Sequence, residues 1–237
     1  MLIESINHRS VDGATEATVL GPFYVEGATE RSMGESICLD EKGDLGTVKG
    51  YIFDTQGNAI ENATIDVWQT NEDGFYNVQQ MDIQPPMNMR GKFVTGSDGV
   101  FHFLTSKPKS YSIPSDGPVG KMLTNMGRHP FRPAHIHFIA SAEGFDTLVT
   151  HIFVEGDKYL DSDAVFGVKE SLVVPFIDQG ESWTAYFDFV LKNTLVSPYF
   201  ICLLFWYPAF ENLLSILRRI SFDKKVYKPD QLHLHHL

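Results

Sequence analysis

The stretch Arg132-Pro133-Ala134-His135-Ile136-His137-Phe138 places two histidines two positions apart within an apolar run. In a β-strand, residues i and i+2 project from the same face, so both imidazoles can reach one point in space. The neighbours Phe138 and Ile139 are residue types that favour strands. The spacing therefore predicts a strand that carries either a two-histidine metal site or two half-buried histidines hydrogen-bonded to their neighbours.

Short apolar runs separated by turn residues surround this strand. The turn Ser97-Asp98-Gly99 predicts that the runs on either side of it pair with each other. A short helical turn is predicted within residues 117–128. Many short strands with turn signals between them predict a mainly β fold, a β-sandwich with few short helices. The predicted strands are 48–53, 63–68, 91–95, 99–103, 135–140, 148–154 and 186–191.

The pattern divides the chain into three segments. Residues 1–45 are rich in glycine and polar residues and are predicted to wrap the domain in an extended form, and residues 46–191 carry the strands of the sandwich. Residues 192–237 form an atypical hydrophobic tail, in which the apolar stretch 195–217 is interrupted by two prolines and a glutamate. Because a membrane helix needs about 20 predominantly apolar residues, a membrane anchor is disfavoured. A helix packed on the core and a variant terminus with little function remain the alternatives, and the second is favoured.

The composition excludes several classes of function. With 43% hydrophobic and 21% charged residues, the 237-residue chain is globular in character. Its formal net charge of −11 argues against a nucleic-acid partner. The two cysteines, Cys38 and Cys202, belong to no pairing motif, and no signal peptide is evident, so a reducing compartment and a cytoplasmic location are expected.

Two tyrosines upstream of the histidines stand in unusual settings. Tyr76 follows the turn Asp73-Gly74, and Tyr111 lies at the mouth of a Pro- and Gly-containing loop. A phenol normally keeps its proton up to about pH 10, but beside a trivalent cation it can lose it, as a metal-bound water does. Phenolate oxygens suit ferric iron better than zinc. Taken alone, each tyrosine is more simply a packed ring with a satisfied hydroxyl.

Together these motifs resemble the intradiol ring-cleavage dioxygenases, non-haem ferric enzymes that open catechols between their two hydroxyls. Tyr111 precedes His135 by 24 residues, which is the spacing typical of that family. The resemblance covers roughly residues 1–191 and is especially close to the hydroxyquinol and catechol branch. It rests on RPAHIHF at 132–138, DVWQTN at 66–71, VLGPFYVEGA at 19–28 and THIFVEGDKYLDSDAVFGVK at 150–169.

The resemblance implies an Fe(3+) cofactor and a set of site residues. Tyr111 would be the ligand that is released when substrate binds. Arg132 would stabilise negative charge on the substrate, because Pro133 allows a bend that returns its guanidinium to the site. The implied metal ligands are Tyr76, Tyr111, His135 and His137. The implied substrate-pocket residues are Val19, Leu20, Gly21, Pro22 and Val165, with His151 close to the oxygen pocket.

The implied reaction is the cleavage by dioxygen of hydroxyquinol (1,2,4-trihydroxybenzene) to 3-hydroxy-cis,cis-muconate or maleylacetate, in aromatic catabolism. Catechol cleavage to cis,cis-muconate is the close alternative, and a metal-binding β-sandwich without turnover is the third. Family members of this branch carry a helical segment before this domain that forms a homodimer. Because Met1 falls almost at the start of the catalytic domain, the dimer helices are expected to be missing and activity to be weak.

Overall fold

Two β-sheets pack face to face in this protein. The structure, a computed structural model, describes residues 13–194. One α-helix, α1 (Pro118–Asn125), occurs in this described range. The strands are β1 (Leu45–Asp54), β2 (Thr64–Gln69), β3 (Arg90–Val94), β4 (Val100–Ser106), β5 (Tyr111–Ser112), β6 (Phe131–Arg132), β7 (His135–Ser141), β8 (Leu148–Val154), β9 (Val173–Val174), β10 (Phe176–Asp178), β11 (Trp183–Tyr186) and β12 (Phe189–Leu191).

Both sheets are mixed. In the first, β4 runs antiparallel along one edge of β1, while β11 and β12 run parallel along its other edge, and β10 pairs with β11. The second has the order β3-β2-β7-β8-β9, and β5 and β6 form a separate two-stranded sheet. The predicted mainly β fold is therefore confirmed. The helical turn predicted within 117–128 is α1. This helix begins with a proline, whose missing N–H costs no hydrogen bond because the first N–H groups of a helix have no partner within the helix.

Alternation along β7 separates a core face from an outer face. Ile136, Phe138 and Ala140 belong to the main hydrophobic core, where the rings of Phe138 and Phe189 from the two sheets lie 4.9 Å apart. Because successive side chains of a strand point to opposite faces, His135 and His137 lie on the outer face. The sandwich core thus fixes the register that presents both histidines together.

The predicted pairing between strands 91–95 and 99–103 is wrong. β3 pairs with β2 in the second sheet, and β4 pairs with β1 in the first. The turn between them crosses from one layer to the other, and the rings of Phe93 and Phe103 stack 5.2 Å apart from opposite sheets. The crossing buries two aromatic rings that a flat hairpin would have placed side by side in one sheet.

The single strand predicted at 186–191 is also wrong in extent, because the structure has two short strands there. β11 and β12 pair with β1 in the same register but are interrupted at Phe187 and Asp188. At the break, the N–H of Phe187 donates to the carbonyl of Lys49 at 3.0 Å. The N–H of Tyr51 donates to Oδ1 of Asp188 at 2.9 Å. A side-chain oxygen therefore replaces a backbone acceptor in the ladder.

A segment that lacks regular strands, residues 13–30, crosses the outer face of the second sheet. Its residues meet the strands in their spatial order: Thr18 bonds to Val149 of β8, and Glu30 bridges to Lys92 of β3. Between them, Gly21 lies against His137 of β7, and the Tyr24 hydroxyl donates to Asp66 of β2 at 3.0 Å. This crossing segment covers the face that carries the two histidines.

Backbone hydrogen bonds continue past β12 to the end of the described range. The N–H of Asp146 donates to the carbonyl of Lys192 at 2.8 Å, and the N–H of Thr194 donates to that of Gly144 at 2.9 Å. The predicted tail beyond Thr194 and residues 1–12 lie outside the described residues. Within 13–194, no helix has the length and apolar character needed to span a bilayer.

Candidate metal centre

The two histidines of β7 stand in a row of ring side chains that runs across three strands. His137 is opposite Trp68 of β2 and opposite His151 of β8. The indole of Trp68 stacks on the His137 imidazole, with ring centres 4.6 Å apart and planes at 13°. Side chains directly opposite each other on one face of a sheet are in contact, so the register itself builds this row.

The donor atoms of Tyr76, His137 and His135 converge. The Tyr76 hydroxyl lies 2.9 Å from Nε2 of His137, and that nitrogen lies 3.1 Å from Nε2 of His135. Nδ1 of His135 is 2.7 Å from the carbonyl of Pro133, an acceptor that requires the proton on Nδ1 and leaves Nε2 with its lone pair. Nε2 of His137, 3.1 Å away, can therefore either donate its own proton to this lone pair or share a cation with it.

These separations fit a metal ion. Two donors about 2.0–2.1 Å from one ion at a right angle lie about 2.9 Å apart. All three residues are at most 2% exposed. Burial lowers the pKa of His135 and of His137 well below the usual value, so both imidazoles are neutral, as metal ligands must be. The residues present therefore fit a cation with nitrogen and phenol-oxygen ligands.

Tyr76 is placed by a turn that its own sequence specifies. Oδ1 of Asn71 accepts the N–H of Phe75 at 2.9 Å, and Gly74 takes a positive φ of 82° that closes the turn. The N–H of Tyr76 donates to the Gln79 side chain at 2.9 Å, and Phe23 stacks on the Tyr76 ring with centres 4.5 Å apart. The ring is thereby held in one position against the histidine row.

Burial raises the pKa of the Tyr76 phenol well above its usual value, and the neighbouring Tyr111 adds to the effect. Without a cation, the Tyr76 hydroxyl therefore keeps its proton at neutral pH. A trivalent ion beside it would reverse the preference, since a metal-bound acid loses its proton. This phenol is thus a donor that becomes anionic only when a metal is present.

Tyr111 reaches the same cluster from the two-stranded sheet. In that sheet it is opposite Arg132. Its ring meets the Tyr76 ring edge-on, with centres 5.4 Å apart and planes at 89°, and lies 5.6 Å from the His135 ring. The structure therefore brings together all four residues predicted as metal ligands.

Arg132 turns back toward the histidines, as the proline after it allows. Nη1 of Arg132 donates to Nε2 of His135 at 3.3 Å. On its other side the guanidinium forms a buried ion pair with Asp163, with Nε 3.1 Å from Oδ1. Burial alone would lower the pKa of Arg132, but the Asp163 carboxylate and the two phenols raise it. A permanent positive charge therefore lies beside the donor cluster.

His151 completes a group of three histidines. Its ring centre is 4.2 Å from that of His137, and one ring nitrogen from each of His135, His137 and His151 lies within 4.8 Å of the others, a grouping that could hold a metal ion. Nδ1 of His151 forms a hydrogen bond with the Thr18 hydroxyl, and its Nε2 has no partner among the described residues. Burial lowers the pKa of His151 well below its usual value, so this ring is neutral.

Among the predicted substrate-pocket residues, Gly21 and Val165 have contacts at or beside the cluster. A β-carbon on Gly21 would lie 3.2 Å from Cε1 of His137, so the chain passes directly over this ring. Leu20 and Pro22 are exposed, and Val19 is half-buried. The N–H of Val165 donates to Oδ1 of Asp163 at 3.3 Å, which places Val165 beside the Arg132 ion pair.

Trp68, Thr18 and Asp163 were not predicted as site residues. Trp68 was part of a strand motif, which carried no indication that its indole stacks on a histidine. Thr18 and Asp163 lie 133 and 31 residues from their partners along the chain. Asp163 lies within the family-like stretch 150–169, but that stretch contains several acidic residues and no local signal distinguishes Asp163 among them.

The chain is similar to known proteins over most of its described residues. A family model described as Dioxygenase matches residues 19–193. The chain is 55% identical over 206 residues to a hydroxyquinol 1,2-dioxygenase from Rhizobium sp. (strain MTP-10005), covering 81% of this chain and 70% of that protein.

Two crystal structures are similar as well. Hydroxyquinol 1,2-dioxygenase from Pseudomonas putida DLL-E4 has 44% identity and a TM-score of 0.78, covering 82% of this chain and 72% of that one. Wild-type catechol 1,2-dioxygenase from Acinetobacter radioresistens has 30% identity and a TM-score of 0.74, covering 82% of this chain and 67% of that one.

Proposed function

Because the chain belongs to the intradiol ring-cleavage dioxygenase family, we propose that it cleaves hydroxyquinol between its adjacent hydroxyls with ferric iron as cofactor. Both atoms of dioxygen enter the product, 3-hydroxy-cis,cis-muconate, a tautomer of maleylacetate. The observation that carries the proposal is the buried series of donors, in which the Tyr76 hydroxyl, Nε2 of His137 and Nε2 of His135 are 2.9 and 3.1 Å apart.

In this proposal Tyr76, Tyr111, His135 and His137 hold the iron. When bound, ferric iron would polarise the diol and couple oxidation of the ring to dioxygen. The two phenols supply anionic oxygens that offset two of the three positive charges of the ion. The Tyr111 oxygen accepts a proton from a substrate hydroxyl. Tyr76, packed under Phe23 and tied to Gln79, stays in place.

Arg132 is proposed as the catalytic cation. Its Nη1 lies 3.3 Å from a proposed ligand atom, so its charge faces the position that a bound diol would occupy. Carbanionic character on the ring of the deprotonated diol is stabilised by a fixed positive charge in a buried site. Because Asp163 holds the guanidinium in place, no reorganisation is needed when that charge develops.

Hydroxyquinol is proposed as the substrate in preference to catechol because the chain has higher sequence identity to hydroxyquinol dioxygenases than to a catechol dioxygenase. The chain is 55% and 44% identical to the two hydroxyquinol 1,2-dioxygenases, against 30% to the catechol 1,2-dioxygenase. Catechol cleavage to cis,cis-muconate is the second candidate, supported by the same donor set. His151 and Val165 are proposed to contact the substrate or dioxygen, since both lie beside the cluster.

The proposal is tested with the whole chain loaded with ferric iron. Tyrosinate bound to ferric iron absorbs visible light and gives a burgundy protein. Addition of hydroxyquinol should shift this band, consume one dioxygen per ring and yield the ring-opened diacid, identified by mass. Turnover of catechol alone would favour the second candidate. A protein that loads iron but opens neither ring would leave only a metal-binding sandwich.

Replacing Tyr76 with phenylalanine should weaken the visible band, because one phenolate ligand is lost while the ring packing under Phe23 is kept. We expect turnover to fall by at least about 100-fold, since removal of a partner outside the metal shell already costs 10–100-fold. Visible absorption and steady-state kinetics measure the two effects.

The matched control is Tyr51→Phe. Tyr51 is a half-buried ring of β1 that stacks on Phe53, in the other sheet from the candidate site. Its loss should leave both the spectrum and the turnover at wild-type values. If the Tyr76→Phe spectrum were also unchanged, Tyr76 would not be an iron ligand.

A further inference from the structure

A loop beside the candidate metal centre, residues 162–167, is organised around one buried carboxylate. Oδ1 of Asp163 accepts the N–H of Val165 at 3.3 Å, and Oδ2 accepts the N–H of Gly167 at 2.8 Å. The same two oxygens accept Nε and Nη2 of Arg132 at 3.1 and 3.3 Å. One side chain, 2% exposed, therefore ties the loop backbone to the arginine of the site.

A second arginine holds the outer side of this loop. The Arg128 guanidinium donates to the carbonyls of Asp163, Ala164 and Ser162 at 2.7, 3.3 and 3.4 Å. It also lies over the Phe166 ring, 3.8 Å from its centre. These contacts hold the loop from its other side, and none of them uses the Asp163 carboxylate.

The Asp163 carboxylate determines where the Arg132 charge points. An arginine side chain has several rotatable bonds, and a two-point contact with a carboxylate sets both its position and the plane of its guanidinium. With Nε and Nη2 bound to Asp163, Nη1 is the nitrogen that faces His135. Because Oδ1 of Asp163 also accepts the Val165 N–H, the same carboxylate fixes the position of Val165 relative to Arg132.

Gly167 is required by this arrangement. A β-carbon there would lie 2.8 Å from Nη2 of Arg132 and 3.0 Å from Oδ2 of Asp163. Gly167 does not have a positive φ, so backbone strain is not the reason for glycine at this position. A side chain of any size would displace the ion pair.

We propose that Asp163 is a positioning residue for ring cleavage. Its carboxylate orients the Arg132 guanidinium toward the reacting ring and places Val165 against the substrate. Gly167 has no side chain because a β-carbon there would displace this ion pair. The inference rests on the proposed function. It assigns to the carboxylate an effect on substrate binding and turnover that is separate from iron binding.

The first test is Asp163→Asn in the whole, iron-loaded chain. The amide keeps the size of the side chain but removes its charge and one acceptor for Arg132. We expect kcat/KM for hydroxyquinol to fall about 10–100-fold, with kcat lowered and KM raised, as for partners that orient active groups. Iron content and the visible band without substrate should stay at wild-type values.

The matched control is Asp161→Asn. Asp161 is exposed, lies two residues away and carries the same charge, so the net charge changes equally in both variants. Its kinetics should equal those of the wild type. Asp163→Glu tests for rescue: if restored charge with a longer reach recovers less than half of the lost kcat/KM, geometry rather than charge is decisive.

Gly167→Ala provides a second route, because it displaces the ion pair without changing any charge and without replacing Arg132 or Asp163. We expect the same increase in KM and loss of kcat, whereas Gly96→Ala, whose β-carbon would meet only Oδ1 of Asp98 at 3.5 Å, should have no effect. If Asp163→Asn does not fold, the Gly167→Ala kinetics decide the question.

The outcomes separate this inference from the proposed function. If the wild type opens hydroxyquinol and Asp163→Asn does so equally well, or if that variant loses iron in proportion to its activity, the positioning role is wrong and the proposed function stands. If the wild type opens no ring, the proposed function fails. Binding of 4-nitrocatechol then decides the positioning role. Weaker binding to Asp163→Asn and Gly167→Ala than to the wild type supports it, and binding equal to that of the wild type overturns it.

Discussion

Replacing His137 with alanine should abolish iron binding and ring cleavage together. His137 is the central residue of the site, because its Nε2 lies 2.9 Å from the Tyr76 hydroxyl and 3.1 Å from Nε2 of His135. Removal of a residue that only supports a metal ligand costs about 10–100-fold in affinity or activity, so loss of the ligand itself should exceed about 100-fold. Metal analysis after dialysis, the visible spectrum and turnover of hydroxyquinol measure the loss.

His102→Ala is the control for this variant. His102 is a half-buried histidine of β4, in the first sheet, and takes no part in the candidate metal centre. Its replacement should leave iron content and turnover unchanged. An His137→Ala protein that keeps a full equivalent of iron and the wild-type spectrum would mean that the donor cluster is not the metal site.

Replacing Gly50 with alanine should destabilise the whole sandwich. A β-carbon on Gly50 would lie 1.8 Å from the carbonyl oxygen of Phe187 and 3.1 Å from the Phe101 ring. The clash is with backbone, so it cannot be relieved by a side-chain rotation, and β1 must separate from the residues that join β11 to β12. Overpacking in a core typically costs about 1–3 kcal/mol, and a backbone clash in a central strand should reach at least about 3 kcal/mol.

This effect is measured as a change in the free energy of unfolding. For a protein of this size, about 3 kcal/mol lowers the Tm by about 6–12 °C. Gly96→Ala, at an exposed loop position whose β-carbon makes only an ordinary contact, should change the free energy by less than about 0.5 kcal/mol. Equal stability of the Gly50 and Gly96 variants would show that β1 is not packed against Phe187 as described.

The sequence carries the local part of this fold. A period of two in residues 135–140 predicts a strand with one apolar face, and β7 has its apolar residues in the core and its histidines on the outer face. The helical turn at 117–128 is equally local, since a proline at the first helical position marks its start. These features depend on neighbouring residues only, so they can be predicted from one chain.

Two predictions about strands, one of a pairing and one of a strand's extent, are wrong for a common reason. A turn such as Ser97-Asp98-Gly99 joins two strands equally well within one sheet or across two sheets, and only the burial of Phe93 against Phe103 selects the crossing. The break between β11 and β12 likewise depends on Tyr51, whose N–H is satisfied by the Asp188 side chain from 137 residues away.

The sequence alone determined that this is a mainly β protein with a histidine strand, and its motifs named four candidate ligands. The tertiary structure decided what surrounds them: that Trp68 stacks on His137, that Thr18 bonds to His151, and that Asp163 sets the direction of Arg132. Period and spacing follow from the geometry of one strand, which any short stretch of sequence reveals. Contacts between distant segments depend on how two sheets and their loops pack, and this packing cannot be predicted from a residue's neighbours in the sequence.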